Sequence, residues 1–143
     1  MEYFGYRKLL VYQKAKELVK LAYETISFFP NNENFALCSQ IRRSAVSITS
    51  NIAEGVSRYS AKEKIHFIEM SYGSLMEMLS QFEIAVELQY IPIAKLNEIE
   101  QLSVEVINLL TKLQYSYLPK NEDGTIDKPY DKNNKPNKPN KPL

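Results

Sequence analysis

The chain has 143 residues, 44% of them hydrophobic and 24% charged, with a formal net charge of +1. That length is one domain with room for its own core, and a single cysteine, Cys38, excludes an intrachain disulfide. Near-neutral charge means that a polyanion site has to be a local patch, or such a patch repeated in an oligomer.

The first twelve residues lack a secretory pattern, and no apolar run reaches about 18 residues, so a cytoplasmic protein with no membrane partner is expected. Cys38 fits a reducing compartment and is expected as a small core residue.

The spacing predicts a first helix from Arg7 to about Phe28, with Val11, Ala15, Leu18, Ala22 and Ile26 recurring every three or four residues. Phe29-Pro30-Asn31-Asn32 is a turn in which an Asn can cap the next helix. A second helix is predicted from Asn34 to Val56, with Cys38, Ile41, Ala45, Ile48 and Ile52 inward. Beside that stripe runs a face of small and polar side chains: Gln40, Ser44, Ser47, Asn51 and Glu54. These are indifferent helix formers, so tertiary packing has to hold the segment, and each buried polar group needs a partner. Gly55 is expected to end the helix.

Ser60-Ala61-Lys62-Glu63 has the spacing of a capping box and opens a third helix running toward Tyr90, with Ile68, Tyr72, Leu75, Leu79, Phe82 and Val86 inward. Gly73-Ser74 within it is expected to admit a neighbouring helix. Pro92 ends the helix, and a fourth spans Ala94 to Tyr117 with Ile99, Leu102, Val106, Leu109, Leu110 and Leu113 inward. Four amphipathic helices with short connections make an all-α, antiparallel up-down-up-down four-helix bundle over residues 1–118. Residues 119–143, rich in Lys, Pro and Asn, cannot bury enough apolar surface to order themselves and are expected to be disordered. Six Lys against four acidic residues in this tail leave the body at −1.

Catalytic patterns are thin. Glu63-x-x-His66 is half of one pair of the ligands that a di-metal bundle needs, and His66 is the only histidine. No phosphate loop, nucleophile–histidine spacing or cofactor motif is present, so neither an enzyme nor a metal or cofactor site is expected. Arg42, Arg43, Arg58, Lys62 and Lys64 are candidates for phosphate contact, because the Arg fork gives paired hydrogen bonds. The alternative is that they make salt bridges, as Arg58 can with Glu54 four residues earlier.

Leu10-Val-Tyr-Gln-Lys-Ala15, the run Gln40-Ile-Arg-Arg-Ser-Ala-Val-Ser-Ile-Thr-Ser-Asn-Ile-Ala-Glu-Gly55, and Phe67, Gly73-Ser74 and Glu77 together resemble a known family. It is the 23S rRNA intervening sequence protein family, which also contains the accessory variability determinant proteins of diversity-generating retroelements. The resemblance covers roughly residues 5–117. It implies a four-helix bundle assembled as a barrel-like homopentamer. For the retroelement branch it further implies basic surfaces that contact nucleic acid and a reverse transcriptase. On this chain, Arg42, Arg43 and Arg58 become candidates for RNA contact or assembly. Gln40, Ser47, Asn51 and Glu54 become candidates for a buried or intersubunit polar seam. The expected function is therefore a non-catalytic, oligomeric accessory protein that binds structured RNA or DNA. The alternative is a scaffold without direct nucleic-acid binding.

Overall fold

The computed structural model describes residues 3–126 and consists of four helices: α1 Leu10–Ile26, α2 Leu37–Ser57, α3 Ala61–Glu87 and α4 Ile93–Tyr117. Short 3-10 turns at Gly5–Lys8 and Asn31–Glu33 precede α1 and α2. Each helix packs on its neighbour in the chain, and α4 closes the square against α1. Contacts across the square run in opposite directions: Ser44 meets Gln81 while Ser47 meets Ser74, and Lys64 meets Tyr117 while Glu69 meets Gln114. Rising numbers on one helix face falling numbers on the next, which is the antiparallel arrangement.

The inward stripes of α1 and α2 are the predicted ones, from Val11 to Ile26 and from Cys38 to Ile52. In α3 the buried line is Ile68, Ser71, Leu75, Met78, Phe82 and Ala85, while Tyr72 is 40% exposed and Leu79 and Val86 are half-buried. The line is rotated toward α2, because small Ser71 and Ala85 let the backbones of α2 and α3 come close. In α4, Leu96 and Ser103 join Ile99, Val106 and Leu110 inside, while Leu102, Leu109 and Leu113 are only half-buried.

Helix ends differ from expectation where local chemistry intervenes. No Asn caps α2. Glu33 instead accepts the backbone N–H of Leu37 at 3.2 Å, and its other carboxylate oxygen accepts the Tyr90 hydroxyl at 2.9 Å. Ser60 does cap α3, accepting the Glu63 N–H at 3.1 Å. Well before Pro92, α3 ends in a Schellman turn with Gln89 at φ 62°. There Tyr90 N–H bonds to Ala85 and Gln89 N–H to Val86, both at 2.9 Å.

Gly55 does not end α2. It is buried in the last turn, where a Cβ would lie 2.9 Å from the Cβ of Phe67 on α3. Gly73, by contrast, faces open space, with nothing among the described residues within 4 Å of a Cβ placed there.

After Leu118 the chain makes a tight turn, with Lys120 bridged to Ile126 and Asp123 accepting from the N–H and hydroxyl of Thr125. The rest of the segment expected to be disordered, residues 127–143, lies outside the described residues.

Candidate nucleic-acid interface

The fold divides the five candidate cations between the two ends of α2. Arg42 and Arg43 lie in its second turn; Arg58 follows its last residue, about 24 Å farther along the axis from Arg42 at 1.5 Å per residue. The two groups therefore do not form one patch.

Arg42 is half-buried and clamps the α1–α2 connection, donating to the Asn34 carbonyl at 3.1 Å and to its side-chain oxygen at 2.6 Å. It lines a hollow of about 380 Å³ with Tyr23, Phe29 and Cys38. Cys38 itself is buried, and desolvation raises its thiol above the ordinary range, so it behaves as a core side chain. Arg43 is exposed and, among the described residues, without a polar partner.

The other three converge where α2 turns into α3. Arg58 pairs with Glu54 and lies 4.7 Å from the Phe67 ring centroid. The Lys64 ammonium donates to the Val56 carbonyl at 2.9 Å, satisfying one of the orphan carbonyls at the end of α2, and sits 5.1 Å from the Tyr117 ring centroid. Lys62 is exposed and has no polar partner among the described residues. Tyr59, in the same corner, is 100% exposed.

Sequence reasoning passed over the cations that the fold adds here. The end of the bundle where α2 meets α3 is also where α1 begins and α4 finishes. It therefore gathers Arg7, Lys8, Lys112 and Lys120 at the end that holds Arg58, Lys62 and Lys64, against Glu54, Glu63, Glu69, Glu122 and Asp123. The opposite end carries Glu24, Glu33, Glu83, Glu87, Glu98 and Glu100 against Lys20, Arg42, Arg43 and Lys95. A body that is near neutral in total is thus polarised along its long axis. Only the antiparallel path brings charges so distant in sequence to the same end of the bundle.

The polar face of α2 has a different role from the cations. Ser47 and Ser74 share a hydrogen bond of 2.8 Å, and the Asn51 amide donates to the Ser47 carbonyl and hydroxyl. Ser44 donates to Gln81 at 2.8 Å, and Ser71 reaches back to the Ile48 carbonyl at 2.8 Å. This seam joins α2 to α3 within one chain. Gln40 and Glu54 lie outside it, both exposed.

Among the described residues no three His, Cys, Asp or Glu side chains converge as metal ligands, and His66 is exposed beside Phe67. No helix of the described residues is long and apolar enough to cross a membrane.

The architecture is that of a four-helix bundle with a cationic corner. Residues 7–112 match the family described as 23S rRNA-intervening sequence protein, and the chain belongs to that family. Among solved structures it is similar to a protein of unknown function of the S23 ribosomal protein family from Bacteroides thetaiotaomicron VPI-5482. That likeness has a TM-score of 0.67 at 24% identity and covers 73% of this chain and 98% of the other, which speaks to fold alone. No curated protein matches the chain.

Proposed function

We propose that this protein is a non-catalytic accessory protein that contacts nucleic acid, RNA foremost, through the end of the bundle where α2 turns into α3. The observation that carries this reading is the charge polarity. Cations, Arg7, Arg58, Lys62, Lys64 and Lys112 among them, outnumber carboxylates at one end, and carboxylates outnumber cations at the other. Such an end attracts a polyanion and orients it, whatever the net charge of the whole. The family description, with its reference to 23S rRNA, agrees with a ribonucleic-acid setting. A cytoplasmic location belongs to the same reading. So does a reverse transcriptase as partner, should the gene lie in a retroelement.

The test is a titration of the purified protein with RNA at several salt concentrations. Released counterions make such binding fall steeply as salt rises. Arg7→Ala with Lys62→Ala is expected to weaken it and to lower the salt slope by about one for each phosphate no longer neutralised. Arg42→Ala with Arg43→Ala, at the acidic end, is expected to change it far less. Equal loss from both pairs would argue against a site at one end.

We further propose that the chain works as a homo-oligomer, a pentamer by the family resemblance, with the outer face of α2 and α3 as contact surface. Gly73 favours this. An exposed glycine inside a 27-residue helix costs stability, and no neighbour among the described residues requires it. The same outward face of α3 carries Met70 at 44% and Ile84 at 50% exposure, and Gln40, Arg43 and Glu54 are exposed on α2. Gly73→Leu is expected to keep the helical content and lower the assembled mass in sedimentation. An unchanged mass would remove this face from the interface.

A further inference from the structure

A groove of about 600 Å³ lies between the first turns of α3 and the end of α4, and neither core packing nor phosphate contact accounts for it. Its walls include Ala61, Ile65, Tyr117 and Pro119. Lys62, His66 and Glu69 complete its lining. We infer that this groove seats an unpaired nucleobase, so that the nucleic acid held at this end of the bundle is single-stranded where it touches the protein. The inference rests on the proposed nucleic-acid reading and adds the kind of strand and the place of its base.

The chemistry of the lining supports a base rather than an apolar ligand. The apolar walls and the Tyr117 ring suit the faces of a heterocycle, and bases stack on aromatic side chains with little regard to sequence. Tyr117 is fixed in place: the Lys64 ammonium is 5.1 Å from its ring centroid, and that ammonium is tied to the Val56 carbonyl. Lys62 and His66 supply donors for the phosphates on either side of the seated base. Glu69 supplies an acceptor. Its only described partner, the Gln114 amide, is 3.5 Å away, at the limit of a hydrogen bond, and leaves carboxylate lone pairs for the exocyclic amine of cytosine or adenine.

Tyr59 adds a second stacking surface. It stands two residues before Ala61 and is 100% exposed, so its ring is free to take the neighbouring base. A duplex cannot use this arrangement, because paired bases turn only their edges to a protein.

The test uses the full chain and three strands of equal length: oligocytidine, oligouridine and an abasic strand with the same phosphates. Anisotropy titrations at about 0.15 M salt are expected to show oligocytidine binding about tenfold tighter than the abasic strand. Oligouridine should fall between them, since uracil has no exocyclic amine. Ala61→Leu, which fills the groove, and Tyr59→Ala each change an exposed residue and leave the core alone. Both are expected to remove most of the difference between oligocytidine and the abasic strand, and Glu69→Ala to remove the preference for cytosine. Circular dichroism checks that the helices persist. Equal affinity for the abasic strand and oligocytidine would overturn the seated base while leaving phosphate contact at the corner intact. Equal affinity of the groove variants and the parent for oligocytidine would overturn this groove as the place. Absence of binding to all three strands at low salt would overturn both the base site and the nucleic-acid reading.

Discussion

A Cβ on Gly55 would stand 2.9 Å from the Cβ of Phe67 and 3.2 Å from the Lys64 carbonyl oxygen. That contact sets how closely α2 and α3 approach at the corner where Arg58 and Lys64 are placed. Neither obstacle is the far end of a flexible side chain, so the helices themselves must shift to admit a methyl group. Gly55→Ala is therefore expected to lose about 1–2 kcal/mol, overpacking outweighing the helix-propensity gain of about 1 kcal/mol. Urea unfolding of parent and variant measures it, and a stabilised variant would show that the corner can relax.

The Ser47–Ser74 hydrogen bond and the Asn51 amide beside it form a shared network rather than independent contacts. A double-mutant cycle with Ser47→Ala and Ser74→Ala should give a coupling energy of about 0.5–1.5 kcal/mol. Strict additivity would mean that water replaces the bond without loss.

Gln89 holds a left-handed backbone conformation at φ 62° to complete the Schellman turn after α3. An L side chain is strained there and glycine is not. Gln89→Gly should raise stability by about 0.5–1 kcal/mol, an unusual sign for a glycine substitution, and a thermal melt compared with the parent reports it.

Alkaline pH should loosen the contact between the α1–α2 connection and the end of α3. The hydrogen bond to Glu33 is the main reason that the Tyr90 hydroxyl titrates above its ordinary value, followed by burial and the carboxylate charge. Burial raises Tyr117 in the same direction. A raised folded-state value means that these groups contribute fully below the ordinary tyrosine value of about 10, and that the contribution is lost as pH rises through the higher folded value. Melting temperature should therefore drop above pH of about 10, and drop less in Tyr90→Phe, which has no proton to lose. Identical alkaline slopes for the two proteins would remove Tyr90 from the effect.

Much of the fold was legible in the residues. Val11 to Ile26 and Cys38 to Ile52 keep a regular three-and-four spacing of apolar side chains, and both stripes are buried as expected. The capping serine at Ser60 was legible for the same reason, because a cap is a contact between residues three apart. Where large apolar side chains cover more than one face, as in α3, periodicity gave a direction slightly off. Tyr72 stays half outside while Ser71, a residue no hydropathy pattern would choose, is buried against α2.

The candidate site was legible only as a set of cations. Arg42 and Arg58 are equivalent in sequence, yet one clamps Asn34 at the acidic end and the other pairs with Glu54 at the basic end. Arg7 and Lys112 gave no signal at all, since what they add depends on which end of the bundle they occupy.

By itself the sequence determined that this chain makes four amphipathic helices, where three of them begin or end, and which family it belongs to. Those properties depend on residues within a turn or two of one another, where the helix repeat alone decides who meets. Tertiary structure decided the rest: that Gly55 is a contact and Gly73 an open face, that Ser47 bonds to Ser74, and that cations are in excess at one end of the bundle and carboxylates at the other. Residues dozens of positions apart become neighbours only when the chain reverses three times, and no local spacing encodes which of them then share an end.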